Sequence, residues 1–198
     1  MHLTESCDAH LPLLITHVET TSAPVSDDAM TATIHAELDR KHLLPREHIV
    51  DTGDVDAKLL VESQRDYQVD LVGATRKNYH WQATQNTGFD VSHFPIDWEQ
   101  QQATCPQGHT SISWTPAIDN RKNEVMKIKF STKDCQACPS RSLCTQSSRH
   151  TRHTVTIRPQ EQYQALMQRR EQEHTQAFAQ VYAKRAGIEG TLSESAFA

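Results

Sequence analysis

Apolar positions in the first third of the chain switch between strand-like runs and helix-spaced ones. The opening has strand character: Leu13 to Thr21 is rich in β-branched residues and ends at the breaker Ser22-Ala23-Pro24. Ser26, Asp27 and Asp28 then offer N-cap oxygens, and Met30, Ile34 and Leu38 follow at helical spacing, so a helix is expected until Leu44-Pro45. Glu47 to Gly53 has the pattern of a short buried strand running into a turn. Asp56 to Gln68 predicts a second helix, with Leu59, Leu60, Gln64 and Tyr67 along one side, and Asp70 to Ala74 a further short strand. Strand, helix, strand, helix, strand is the pattern of an α/β layer with a partly parallel sheet.

Near residue 76 the pattern changes. Residues 76 to 104 are rich in Asn, Gln, Thr and Trp and lack a period. Ser111 to Trp114 and Val125 to Phe130 then predict antiparallel strands around a group of cysteines. From Pro159 to about Ile188 the spacing turns helical again. The expected division is a first α/β segment over 1–75, an inserted β-rich module over 76–157, and a helical segment over 158–198 that completes the first.

Composition narrows the class. The chain has 198 residues, of which 36% are hydrophobic, and its mean hydropathy is −0.66. No apolar run approaches the roughly 20 residues that span a bilayer, and the N-terminus lacks the basic and apolar regions of a secretory signal, so the expectation is a cytoplasmic protein with no membrane partner. The formal net charge of −5 hides an acidic first part and an arginine-rich stretch from Arg141 to Arg185, which suits local contact with phosphates.

Four of the five cysteines lie beyond residue 100, as Cys105-Pro-Gln-Gly108 and then Cys135-x2-Cys138-x5-Cys144. A Cys-x2-Cys turn presents two thiolates to one ion, and four thiolates suit tetrahedral zinc, Zn²⁺. Such a closed site would staple a fold without activating water. Free thiols and a redox role are the other readings of the same pattern. His109 is a substitute ligand on this reading, and Cys7 is an ordinary thiol.

Asp51 sits where the apolar Ile49-Val50 gives way to a glycine turn, the strand end at which α/β sheets collect ligands; from position alone, capping of the following helix or turn closure is the simpler reading. Asp54 and Asp56 read as helix-start residues. Tyr182, Arg185 and Glu189 fall three and four residues apart, so on a helix an aromatic ring, a phosphate-binding fork and a carboxylate share a face. A charged helix end broken by Gly187 and Gly190 gives the same spacing.

Taken together, these features resemble DDE-type bacterial insertion-sequence transposases. Asp51-Thr52-Gly53 is similar to that family's second aspartate motif, and Tyr182-x2-Arg185-x3-Glu189 to the first three members of its Tyr-Arg-Glu-Lys signature. Arg185 to Thr191, Trp98, Cys105-Pro-Gln-Gly108, Trp114-Thr-Pro116, Asp134-Cys135-x2-Cys138-Pro139 and Arg141-x2-Cys144 resemble a branch with a zinc-ribbon-like insertion.

The resemblance implies a partial ribonuclease-H-like fold carrying a small β-rich zinc-ribbon-like insertion. It implies two Mg²⁺ (or Mn²⁺) ions held by two aspartates and a glutamate, with Asp51 as the second acid and Glu189 as the third. Tyr182 and Arg185 would position DNA, and Cys105, Cys135, Cys138 and Cys144 would hold Zn²⁺. The implied activity is cleavage and strand transfer at transposon ends, in a homo-oligomer or beside a full-length transposase. Where the family has a first-strand aspartate this chain has no counterpart, starting at about the second strand with His2-Leu3-Thr4-Glu5. Asp54 stands where an aromatic residue is usual, and the signature lysine falls on Ala196. The expectation is a transposase fragment truncated at both ends and inactive by itself, or a zinc-stapled DNA- or protein-binding module that regulates a full-length relative.

Overall fold

The computed structural model describes residues 2–8, 10, 12–22, 25–52, 55–84 and 87–187. The breaker residues Ala23 and Pro24, the turn residues Gly53 and Asp54, and everything from Ile188 on, including Glu189, lie outside them. The chain forms two compact units: Met1–Arg76 with Gln164–Ala198, and Lys77–Tyr163.

In the first unit, β1 (His2–Glu5) pairs antiparallel with β2 (Ile15–Glu19). The strand begins later than the run of apolar residues suggested, and Leu13 and Leu14 precede it, exposed. Helix α1 (Asp27–Arg40) buries Thr31, Ile34, His35 and Leu38, one stripe at helical spacing. Ser26 is its N-cap residue but makes no side-chain cap bond.

Strand β3 (Glu47–Ile49) lies parallel to β4 (Asp70–Val72), joined through α2 (Ala57–Tyr67). The Asp56 carboxylate caps α2 by accepting from the Lys58 N–H at 2.8 Å. The buried face of α2 is Ala57, Leu60, Val61 and Ser63, with Gln64 exposed, so the helix is rotated from the side predicted. Leu60 packs with Val55 and Leu71. Gly73 follows β4 where a Cβ would stand 2.5 Å from Val55 Cγ2, so only glycine admits this approach.

The two strand pairs are separate sheets, each of two strands, where a single sheet was expected. The α/β class holds, with mixed helices and strands in the order predicted.

The second unit holds a short helix α3 (Trp81–Thr84) and the strand pair β5 (Ile96–Asp97) with β6 (Gln102–Ala103). Its sheet runs β7 (Ser113–Ile118), β8 (Glu124–Lys129) and β9 (Thr154–Ile157), all antiparallel. Between β8 and β9 lie α4 (Thr132–Ala137) and α5 (Arg141–Cys144). Phe94, Ala103, Ile128, Phe130, Val155 and Ile157 form the core. The residues between 76 and 104 gave no periodic signal because their elements are too short to show one.

The closing helical stretch is interrupted. Helix α6 (Gln160–Gln172) gives way at Thr175, whose hydroxyl accepts from the Phe178 N–H at 3.2 Å and starts α7 (Gln176–Tyr182). Ala183–Arg185 is a 3₁₀ turn. Among the described residues, no helix is long and apolar enough to cross a membrane.

Candidate functional sites

The end of β3 leads through Val50, whose N–H donates to the Val72 carbonyl at 2.9 Å, directly to Asp51. One Asp51 carboxylate oxygen accepts from the Thr52 N–H at 2.8 Å, which fixes the side chain over its own turn. The side chain is 62% exposed.

Arg185, distant in sequence, places its Nη1 3.3 Å from the same Asp51 oxygen. The Tyr182 hydroxyl lies 3.2 Å from Thr52 Oγ1. The Arg185 guanidinium also sits over the Tyr182 ring, 5.7 Å from its centre, a cation–π contact. Residues three apart eclipse in a 3₁₀ turn. Tyr182 and Arg185 thus keep the common side expected of a helix, and Glu189 lies outside the described residues.

Two contacts tie the closing helical stretch to β4 and the residues after it, and two contacts of the Phe178 ring lie within the stretch itself. The buried Arg169 forms an ion pair with Asp70 at the start of β4 and lies 5.9 Å over the Phe178 ring. Glu173 accepts from the Thr75 N–H at 2.6 Å. Phe178 stacks on Tyr182 with ring centres 5.6 Å apart. The sequence offered Thr52 only as part of the Asp51-Thr52-Gly53 motif and gave no role to Asp70 or Arg169. Only Thr52 had a signal, its place beside Asp51; a buried arginine in a Gln- and Glu-rich helix has none.

This arrangement joins a hard-oxygen donor, an arginine fork and an aromatic platform. An exposed carboxylate of this kind suits a divalent cation, and the fork suits a phosphate. The two demands compete, because Arg185 occupies one Asp51 oxygen.

In the second unit, Cys105, Cys135, Cys138 and Cys144 all line one small cavity of about 30 Å³, together with His109, Asp134 and His153. Cys105 opens a tight turn in which the Gly108 N–H donates to the Cys105 carbonyl at 2.8 Å. Gly108 takes φ +83°, a left-handed conformation natural to glycine. Cys135 lies in α4, Cys138 caps it, and Cys144 ends α5. The His153 N–H points at Cys135 Sγ, 3.5 Å away.

All four thiols are free, as is Cys7. The Cys144 thiol is pushed up to about 11, first by burial and then by Cys138, Cys105 and Cys135. Burial and the three neighbouring cysteines thus both disfavour the Cys144 thiolate. Among the described residues, no group of three or more His, Cys, Asp or Glu side chains is arranged to hold a metal ion. His109 faces Asp134 at 3.9 Å.

Residues 104–196 match a family model described as a transposase DDE domain. The match takes in all four clustered cysteines, Tyr182, Arg185 and Glu189; Asp51 precedes it. No curated protein and no solved structure matches the chain.

Proposed function

Because residues 104–196 match a family model described as a transposase DDE domain, we propose that the first unit is part of a ribonuclease-H-like core and binds transposon-end DNA beside Asp51. The observation that supports this is the meeting of Asp51 and Thr52 with Arg185 and Tyr182, two motifs far apart in sequence. In this reading Asp51 and Glu189 are acids that hold Mg²⁺ or Mn²⁺. The family's divalent metals stabilise charge during in-line attack on phosphodiesters. Arg185 neutralises a DNA phosphate, and Tyr182 braces the guanidinium from below.

These residues alone do not cleave DNA on this account. The Arg185 guanidinium holds one Asp51 carboxylate oxygen. Turnover of end-bearing DNA by the purified chain in Mg²⁺ or Mn²⁺ would refute that statement.

Cys105, Cys135, Cys138 and Cys144 hold a structural zinc in this reading, supported by their common cavity. The ion would fasten the turn at Cys105 to α4 and α5. Partners are a second copy of the chain or a full-length transposase.

The Asp51–Arg185 pairing also favours a second reading, a DNA- or protein-binding module that regulates such a relative. Fluorescence anisotropy on duplexes carrying the ends of the surrounding element separates the two. The core reading predicts that Asp51→Ala and Glu189→Ala abolish the metal dependence of binding. Binding left unchanged by both substitutions belongs to the module reading.

A further inference from the structure

The three-stranded sheet of the second unit has two unlike faces. On one, Ile128, Val155 and Ile157 are buried in the core. On the other, the register sets hydroxyls and lysines side by side. Ser113 stands opposite Lys129, and Lys129 opposite Thr154. Two residues along, Thr115 stands opposite Lys127, and Lys127 opposite Thr156. Directly opposed residues share a face, and so do residues two apart on one strand. Each row is therefore a hydroxyl, an ammonium and a hydroxyl, and the two rows stand roughly 6.8 Å apart, twice the antiparallel rise.

The Ser113 and Thr115 hydroxyls lie 3.1 Å apart, which places both side chains on this face. Thr115, Lys127, Thr154 and Thr156 are exposed, and Ser113 and Lys129 are half-buried. None of the six is acidic, and among the described residues neither lysine forms an ion pair. Surface charge that only keeps a protein soluble intersperses both signs. The next pair towards the hairpin, Ala117 with Val125, is uncharged and ends the row. The unit as a whole leans the same way: residues 77–163 hold ten Lys and Arg against seven Asp and Glu, a formal +3, in a chain whose net charge is −5.

We propose that this sheet face binds the phosphate backbone of duplex DNA without regard to base sequence. Serine and threonine hydroxyls donate to phosphate oxygens, and lysine supplies a point charge beside them. The two rows carry no aromatic ring on which a base could stack and no apolar side chain to enter a bilayer, so an unpaired strand and a membrane both suit them poorly. A duplex presents its phosphates at fixed intervals on a stiff rod, which a rigid pair of rows can meet without further ordering. An acidic peptide has the charge but must first be ordered, at a cost in entropy. The inference goes beyond the reading of Asp51. It concerns the other unit, and its test needs neither a divalent metal nor a transposon end, so each can fail without the other.

The test is fluorescence anisotropy of the full chain with a labelled duplex of about 20 base pairs and arbitrary sequence, without added Mg²⁺ or Mn²⁺, over about 50 to 200 mM salt. Lys127→Gln with Lys129→Gln weakens binding at least about tenfold at the lowest salt and flattens the slope of log affinity against log salt by about two. Thr154→Val with Thr156→Val weakens binding and leaves the slope unchanged, because no charge is lost. Lys133→Gln with Arg149→Gln removes the same charge from exposed positions outside the three strands and changes affinity by less than about twofold. An unchanged slope in the lysine variant overturns the proposal, as does an equal loss in the Lys133 and Arg149 variant or an absence of binding by the unaltered chain. Displacement of the duplex by poly-glutamate at equal charge concentration also overturns it, because the face is then a site for acidic peptides.

Discussion

Acid weakens the first unit through His48. Its Nδ1 lies 2.8 Å from Nε2 of His35, which is 1% exposed and whose own Nδ1 has no hydrogen-bond partner. Tyr67 meets His35 edge-on, with ring centres 5.4 Å apart. Burial, and then the charge of His35, lower His48 from 6.5 to about 4. Above pH 6.5 both folded and unfolded chains carry a neutral ring, and the stability is fully present. As pH falls from there towards 4, the unfolded chain takes up a proton that the folded one refuses, so stability falls with pH. Each unit of difference is worth about 1.4 kcal/mol, which gives a loss of about 2 kcal/mol at pH 5. His35, also lowered by burial, adds in the same direction.

The assay is urea unfolding at pH 7.5 and 5.0, followed through the Leu60 and Val61 amide resonances, because all three tryptophans lie in the other unit. His48→Asn keeps a polar atom near the Nδ1 position and cannot titrate. Wild type should lose about 2 kcal/mol more than the variant between the two conditions. Equal losses would refute the reasoning, since the other histidines are common to both proteins.

Further outcomes follow from the packing. Ile128→Ala, at 0% exposure in the second unit's core, should cost about 3 kcal/mol in urea unfolding read by tryptophan fluorescence; a loss under about 1 kcal/mol contradicts the core assignment. Arg169→Leu removes the buried partner of Asp70, whose side chain is 48% exposed, so the cost is about 1–2 kcal/mol, below that of a fully buried pair. If Cys105, Cys135, Cys138 and Cys144 hold zinc, chelation or Cys138→Ser lowers the melting temperature of the second unit, and elemental analysis finds about one zinc per chain. Thermal unfolding indifferent to chelator sinks the zinc assignment.

What was legible in the sequence was local. The stripe through Ile34 and Leu38 foretold α1, and Asp56 foretold the start of α2, because periodicity and capping act within a turn or two. The face of α2 was misjudged because Leu59 and Leu60 are adjacent, and the pair alone does not say which of them points inward. The division of α6 from α7 turns on one cap, Thr175, in a stretch whose composition is helical throughout. Asp51, Tyr182 and Arg185 were legible as motifs, but their meeting depends on Arg169, Asp70 and Glu173, polar residues whose partners lie about a hundred positions away. The single expected sheet gave way to two pairs because β1 and β3 face a groove and not each other.

The central claim is that Asp51 is a metal-binding acid beside an arginine that serves DNA. Its most direct test is titration of the labelled chain with Mn²⁺, mapping paramagnetic broadening of amide resonances. The account predicts broadening centred on Asp51 and Thr52, lost in Asp51→Asn and retained in Cys105→Ser. Broadening that survives Asp51→Asn, or that centres on the cysteine cavity, would contradict it.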